Sequence, residues 1–273
     1  MPKFSTTISV IPPDLKSSFT SKDSGGTSYS YAASGNLRLW LRFDSVLTEK
    51  SSYESVTAAY EGSPTISTAN VGNIVQKTAT FSDTGNHNAL ITYSGTTNGT
   101  SFGDGSTDSA FSVGFWINHP SAGASSHDFL FAKASASADF REFQAKYNGV
   151  TGVLQFGLYD ESNDNFRARN YTISISDGAW HYLTLTYDGT GGGTAYTGLT
   201  VYKDGVSIAK TGGDIVTGGA YTAMEAVSNK LYIGADAIGA NESHGTFSEF
   251  AIWQKELSIS EIKAIMYGSS VQQ

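Results

Sequence analysis

The stretch "DGAWHYLTLTYDGT", Asp177 to Thr190, sets a tryptophan, a histidine and an aspartate on one short alternating run. An imidazole beside a carboxylate is the usual equipment of a general base. On an extended strand, however, His181 and Asp188 lie over ~20 Å apart at about 3.3 Å per residue. They form no dyad within that strand. His181 alternates in phase with Leu183, Leu185 and Tyr187, which marks it as a core or edge histidine, and Asp188-Gly189 reads as the turn that ends the run. The string Gly99-Thr100-Ser101-Phe102-Gly103 has the spacing of a nucleophile elbow. An elbow needs a strand before it and a helix after it; here the string lies in a Gly/Ser/Thr loop followed by another strand. Five histidines (His87, His119, His127, His181 and His244) are scattered, with no pair at zinc-ligand spacing on one element.

Carboxylates come next. Glycosidic hydrolysis takes two of them a few ångströms apart, a distance that alternate strand positions supply. No Glu-x-Asp-x-Glu-like run exists in the chain. The acids gather instead in loops: Asp104 with Asp108, Asp160 with Asn163 and Asp164, and Asp236 with Glu242. Hard oxygen ligands of this kind suit calcium. The first two loops are the candidate calcium ligands, against the reading that they are solvated turn residues. None has the full EF-hand pattern, and no cofactor is certain. Candidate ligand platforms are Trp40, Trp116 and Trp253, which fall on the face opposite the most aliphatic residues of their strands. Flat rings stack on the apolar faces of sugars; packing in a core or under loops is the other role. Arg38 and Arg42 share the Trp40 face. They are read either as partners of a cross-strand ion pair or as an open patch for an acidic sugar or a partner subunit.

These residues sit on a series of short strands. "LRLWLRFD" alternates Leu37, Leu39, Leu41 and Phe43 against Arg38, Trp40 and Arg42, and "FSVGFWIN" does the same. "VLQFGLYD" (153–160), "YTISI" (171–175), "YLTLTYD" (182–188), "LTVYKDG" (199–205) and "KLYIGAD" (230–236) follow. Asp204-Gly205 is a two-residue hairpin signal, since a type I′ turn needs φ > 0 at both positions. The expected fold is therefore all-β, a two-sheet antiparallel sandwich. One helix is expected over 259–267, opened by a capping box from Ser258 to Glu261 and ended by Gly268. Residues 1–33, rich in Ser, Thr and Gly, read as an extended N-terminal arm or linker; 34–268 form the sandwich and 269–273 a tail.

Composition narrows the function. The chain of 273 residues has 30 glycines, 12% aromatics and only 15% charged residues, as all-β chains with many turns do. With no cysteine, nothing rests on disulfides or thiolate metal sites. A net charge of -8 makes nucleic acid and anionic membrane surfaces poor partners. No segment approaches a membrane span, and the N-terminus lacks the apolar core of a signal peptide. The routes expected from this start are retention in the cytoplasm or exit without a Sec-type signal, as in a virus particle released by lysis.

Taken in order, "FSVGFWINHP", "FLFAKA", "DGAWHYLTLTYDGT", "LTVYKDGVSIAK", "KLYIGAD" and "GTFSEFAIWQKELSISEIKAIMYG" resemble the laminin-G-like, concanavalin A-like jelly rolls. "TATFSDTGNHNALI" (78–91) is similar to that family's early Phe-Asp-Gly turn. The resemblance covers roughly 35–268 and implies a jelly roll whose first and last strands pair, so that Glu249 faces Arg38 or Arg42. It departs from the family at Ser248-Glu249, where an Asp-Glu pair is usual. Such domains bind glycans, bind proteins or build particles, so the fold leaves function open. The expectation carried forward is a non-enzymatic virion protein, a capsid decoration or appendage subunit on the virion surface. It would contact other virion subunits through its arm, form a homo-oligomer with the trimer favoured, and bind host cell-surface glycans. The alternatives are a carbohydrate-binding module of a bacterial surface or secreted protein, and a glucanase-type hydrolase.

Overall fold

The computed structural model of the chain describes residues 19–22, 27–31, 36–45, 48–49, 56–72, 74–82, 87–93, 99–120, 127–134, 141–226, 230–236 and 241–268. The first 18 residues of the expected arm and the tail 269–273 lie outside them. In chain order the strands are β1 (Phe19–Lys22), β2 (Ser28–Tyr31), β3 (Leu37–Arg42), β4 (Thr48–Glu49), β5 (Val56–Glu61), β6 (Thr65–Val71), β7 (Ile74–Thr80), β8 (Asn88–Tyr93), β9 (Phe111–Asn118) and β10 (Asp128–Ala134). They continue with β11 (Arg141–Asn148), β12 (Val153–Asp160), β13 (Asn165–Thr172), β14 (Trp180–Tyr187), β15 (Leu199–Lys203), β16 (Val206–Ile208), β17 (Lys210–Thr217), β18 (Lys230–Ile233) and β19 (Thr246–Trp253). Helix α1 (Ile259–Gly268) closes the described chain.

Two antiparallel sheets face each other. One runs β17-β13-β12-β11-β10-β18-β8-β5. The other runs β16-β15-β14-β9-β19-β3-β4, with the β6–β7 hairpin joined to it through β7 and β19. The alternating residues of the strongest strands fill the space between: Leu39, Leu41 and Phe43; Phe111, Val113, Phe115 and Ile117; Leu183, Leu185 and Tyr187. Opposite them stand Phe131, Phe143, Phe156 and Leu158. Burying a Leu or Phe side chain stabilises by roughly 1.5–3 kcal/mol, so this layer outweighs any single polar contact. The Asp204-Gly205 turn has φ of 52° and 72°, the left-handed pair the hairpin signal required. The strand expected at 171–175 instead belongs to β13, which begins earlier and ends at Thr172.

A second apolar layer covers the other face of the nine-stranded sheet. Ile262, Ile265 and Met266 of α1 cluster with Trp40, Trp116, Trp253, Tyr182 and Tyr202. The capping box forms as expected: the Ser258 backbone N–H donates to Glu261 Oε2 at 3.0 Å, and the Glu261 N–H donates to Ser258 Oγ at 3.3 Å. Part of the expected arm is not extended. The short antiparallel hairpin β1–β2 folds within 1–33 and lies against α1. Among the described residues, no helix is long and apolar enough to cross a membrane.

Three irregularities position polar groups. In β19 the register with β9 shifts between Ser248 and Ala251, and Glu249 takes φ 51°. Before this bulge β19 pairs with β7; after it, with β3. In β11 the register with β10 shifts near Glu142, which turns that carboxylate inward beside Lys133. In β17 the residues Gly212, Gly213 and Asp214 stand opposite the single Arg169 of β13, with Gly212 at φ 70°.

Candidate functional site

Three of the five histidines, His119, His181 and His244, settle into structural roles. His181 Nδ1 lies 2.8 Å from Asp204 Oδ2, and its Nε2 lies 3.1 Å from Asp177 Oδ2. Both nitrogens face carboxylates, which only accept. The ring therefore ties two turns together and offers no free nitrogen to a substrate. Ser176, His119 and Asp128 line up with relay-like spacing: Ser176 Oγ to His119 Nδ1 is 3.0 Å, and His119 Nε2 to Asp128 Oδ2 is 3.0 Å. Nδ1, however, also faces the Pro120 carbonyl at 3.1 Å, and the Ser176 hydroxyl donates to Tyr147 Oη. His119 is fully buried, so the array is a structural lock. Burial works against the Asp128 charge, yet hydrogen bonds from His119 and His244 hold its carboxyl below the usual range.

The three tryptophans proposed as sugar platforms are packed away. Trp40, Trp116 and Trp253 are 3%, 6% and 0% exposed, all in the layer beneath α1. As placed they present no face to a ligand, and their packing role is the one the fold uses. Arg38 Nε donates to Gln254 Oε1 at 2.9 Å. Arg42 Nε stands 3.5 Å from Glu249 Oε1, the cross-strand pair expected between first and last strands. Trp40 Nε1 donates to the other oxygen of Glu249 at 2.6 Å. Burial pushes the Glu249 carboxyl up to about 7. With these partners, the Arg38–Trp40–Arg42 face is not an open patch. In the Gly-Thr-Ser-Phe-Gly string, Ser101 Oγ donates to Glu142 within the core.

The acidic loops, by contrast, converge. Asp104 and Asp108 stand at one end of the sandwich, and Asp160, Asn163 and Asp164 belong to the short 3₁₀ turn beside them. The segment Tyr221–Glu225 threads between the two loops. Met224 N–H donates to Asp108 Oδ1 at 2.8 Å and Thr222 N–H to Asp160 Oδ2 at 2.6 Å. The Glu225 carboxylate accepts the N–H groups of Glu161 and Ser162. Asp108 Oδ2 accepts the hydroxyls of Tyr187 at 2.7 Å and Tyr221 at 2.9 Å.

These contacts test calcium. The oxygens of Asp160 are taken by N–H and O–H donors, as are two lone pairs on Asp108 Oδ2. Asp104 closes its own turn through the Ser106 and Thr107 N–H groups. The Asp164 side chain is 93% exposed and sits 3.7 Å from Arg141. The Asp236 carboxylate accepts from the Asn241 amide. Among the described residues, no three acidic or imidazole groups converge as a cation would require. The set does not fit the ion, and no step is derived through it.

What the convergence builds is a cleft of 440 Å³ at the rim, lined by segments 106–108, 189–192 and 221–222. Burial pushes the Asp108 carboxyl up against the pull of its three donors. Burial and the facing Asp108 also push the Tyr187 and Tyr221 phenols up, so both remain donors. A carboxylate has about four lone-pair sites; three are filled here, leaving one on Oδ1. Gly191, at φ 64°, holds the opposite wall, and a Cβ there would stand 3.9 Å from Asp108 Oδ2. Around the carboxylate are the hydroxyls of Ser106, Thr107, Thr190 and Thr222. Among the described residues the lining holds no Lys, Arg or His, and Asp108 is its one carboxylate. Such a site can exchange hydrogen bonds with a polyhydroxylated ligand. The glycine run at 191–193 was visible in the sequence, but nothing there marked Tyr221 or Thr222 as wall residues.

The Laminin_G_3 family model, described as the concanavalin A-like lectin/glucanases superfamily, matches residues 92–263. No curated protein matches the chain in sequence. Among solved structures, the chain is similar to the ligand-binding domain of botulinum neurotoxin serotype D in complex with N-acetylneuraminic acid. That likeness has TM-score 0.60 at 14% identity and covers 87% of this chain and 52% of that one. It is also similar to the serotype G binding domain, with TM-score 0.59, 15% identity, and coverage of 86% and 52%. A third is the binding domain of Paraclostridial Mosquitocidal Protein 1, with TM-score 0.53, 14% identity, and coverage of 85% and 52%. The chain thus spans about half the length of each, and at these identities the likeness is one of fold.

Proposed function

The chain belongs to the concanavalin A-like lectin/glucanases superfamily, and from that premise we propose that it is a non-catalytic glycan-binding domain whose ligand sits in the rim cleft. The observation that carries this reading is the lining itself: one carboxylate with a lone pair to spare, ringed by small hydroxyls and glycine backbone. Sugar hydroxyls both donate and accept, so they match such a wall. Cleavage would need a second carboxylate across the bond, and Asp160, the nearby candidate, is 0% exposed. That these structural neighbours are described as binding domains, one of them holding a sugar acid, accords with this reading.

A glycan array tests it. The full chain should retain neutral oligosaccharides, and Thr222→Arg, which fills the cleft from an exposed position, should abolish that signal without lowering the melting temperature. Neutral-glycan binding that survives Thr222→Arg, or no binding of any glycan by the wild type, overturns the assignment.

We extend the reading to a virion surface, where the domain would serve as a capsid decoration or appendage subunit, working as a homo-oligomer. The acidic, cysteine-free composition accords with this placement. Mass spectrometry of purified particles should find the chain; its absence, with the chain found on a bacterial surface, would favour the carbohydrate-binding-module alternative.

A further inference from the structure

The outer face of the eight-stranded sheet carries a second hollow, of opposite polarity. Lys146 of β11 pairs with Gln155 of β12, and Gln155 with Asn170 of β13, so the three stand in one row. Their chain neighbours Ala145, Tyr147, Leu154, Phe156 and Tyr171 enter the core, which points the row away from it. A hollow of 300 Å³ opens over this row and is bounded at one end by Asn148 and Thr151 of the β11–β12 turn.

Its polar inventory is rich in donors. Asn148 Oδ1 already accepts the N–H groups of Val150 at 3.0 Å and Thr151 at 2.9 Å, leaving the Asn148 amide hydrogens for the hollow. Gln155 Nε2 donates to Asn170 Oδ1 at 3.3 Å, which leaves the Asn170 amide hydrogens in the same position. Val153 supplies an apolar wall. Lys146 is half-buried and the exposed His127 also lines the hollow, while among the described residues no carboxylate does. Burial alone holds its ammonium below the ordinary lysine range. A cation that has shed water is stabilised by any anion that reaches it. Among the described residues the rim cleft has the reverse set, a carboxylate and no cation.

We propose that the Lys146 hollow is a second sugar subsite, selective for a pyranose that bears a carboxylate. The carboxylate meets Lys146 Nζ, ring hydroxyls accept from the Asn148 and Asn170 amides, and an apolar face of the ring lies on Val153. The inference rests on the chain being a glycan binder, but it uses none of the rim residues.

The test measures affinity of the full chain for oligogalacturonate, N-acetylneuraminic acid and lactose at low and high salt. The wild type should bind one of the two acidic probes, more weakly as salt rises, and the probe that binds identifies the acid as uronic or sialic. Lys146→Gln should lose about tenfold or more on that probe with lactose unchanged, Lys146→Arg should keep most of the affinity, and Thr222→Arg should leave it intact. In the wild type, the bound acidic probe should also shield Lys146 from acetylation, read by mass spectrometry without any substitution. The proposal is overturned if neither acidic probe binds, if Lys146→Gln binds as wild type does, or if Lys146→Arg loses as much as Lys146→Gln. Loss of lactose binding in Thr222→Arg with acidic binding retained separates the two subsites. Lactose binding alone sustains the rim reading and sinks this one.

Discussion

Glu249→Gln should change how the stability of this fold depends on pH. The carboxyl sits in the β19 bulge at φ 51°, 8% exposed, with Trp40 Nε1 on one oxygen and Arg42 3.5 Å from the other. Burial pushes it from 4.5 to about 7, with Asp44 adding to the rise, while Trp40 and Arg42 oppose it. Between those two values the folded chain keeps a proton that the unfolded chain has released. The group's contribution is therefore present in full below about pH 4.5 and is lost as pH rises toward 7. At about 1.4 kcal/mol per pH unit the loss amounts to about 3 kcal/mol. Glutamine keeps the acceptor for Trp40 and does not titrate. In urea melts from pH 4 to pH 8, the stability of the variant relative to wild type should climb by about 3 kcal/mol across this window. For a domain of this size that is about 6–12 °C in melting temperature. Histidines and other carboxyls titrate in both proteins, so the difference isolates Glu249. A difference between the two that stays flat with pH would refute the view that the bulge holds this carboxyl protonated.

Lys133→Met should cost about 3–5 kcal/mol at neutral pH and above by stranding the buried Glu142. The same urea melts should show part of that cost recovered in Lys133→Met/Glu142→Leu. Because burial pushes Glu142 up to about 7, the cost of the single change should shrink as the medium is acidified. Trp253→Ala should cost about 3–5 kcal/mol by thermal melting and leave glycan retention per folded molecule unchanged, since the ring is sealed beneath α1. Ser258→Ala should cost about 1 kcal/mol through the lost cap, seen as faster amide exchange over the first turn of α1.

The strands that could be read from the sequence are those with one strictly alternating apolar face: β3, β9, β12, β14, β15 and β18. β6 was not, because its Ala, Thr and Ser residues pack only partly and alternate weakly. β11 was hidden by its bulge, which sets Glu142 inward beside Phe143 and breaks the period. The tryptophans show a different limit. Alternation correctly put them on the far face of their strands, but a period of two cannot say what covers that face, and α1 covers it. The acids were grouped by loop correctly, yet whether an oxygen is free depends on donors far along the chain. Thr222 and Met224 lie more than sixty residues from the carboxylates they satisfy. Lys146 carried no signal, because a lysine in a hollow without a described carboxylate is recognised only once its neighbours in space are known.

The irregular course of β17 bears on how such molecules behave when crowded together. Among the described residues this strand pairs only with β13, so its far edge is a row of backbone groups open to another strand. Three residues facing one at Arg169, with Gly212 turned left-handed, interrupt the straight run that an incoming strand would need. Asp214, held 2.9 Å from Arg169 and 3.0 Å from Lys210, fixes a charged knot at that interruption. Copies that meet in solution can therefore keep their sheets separate, and the kinked margin guards against the fusion into continuous ribbons that a flat margin invites.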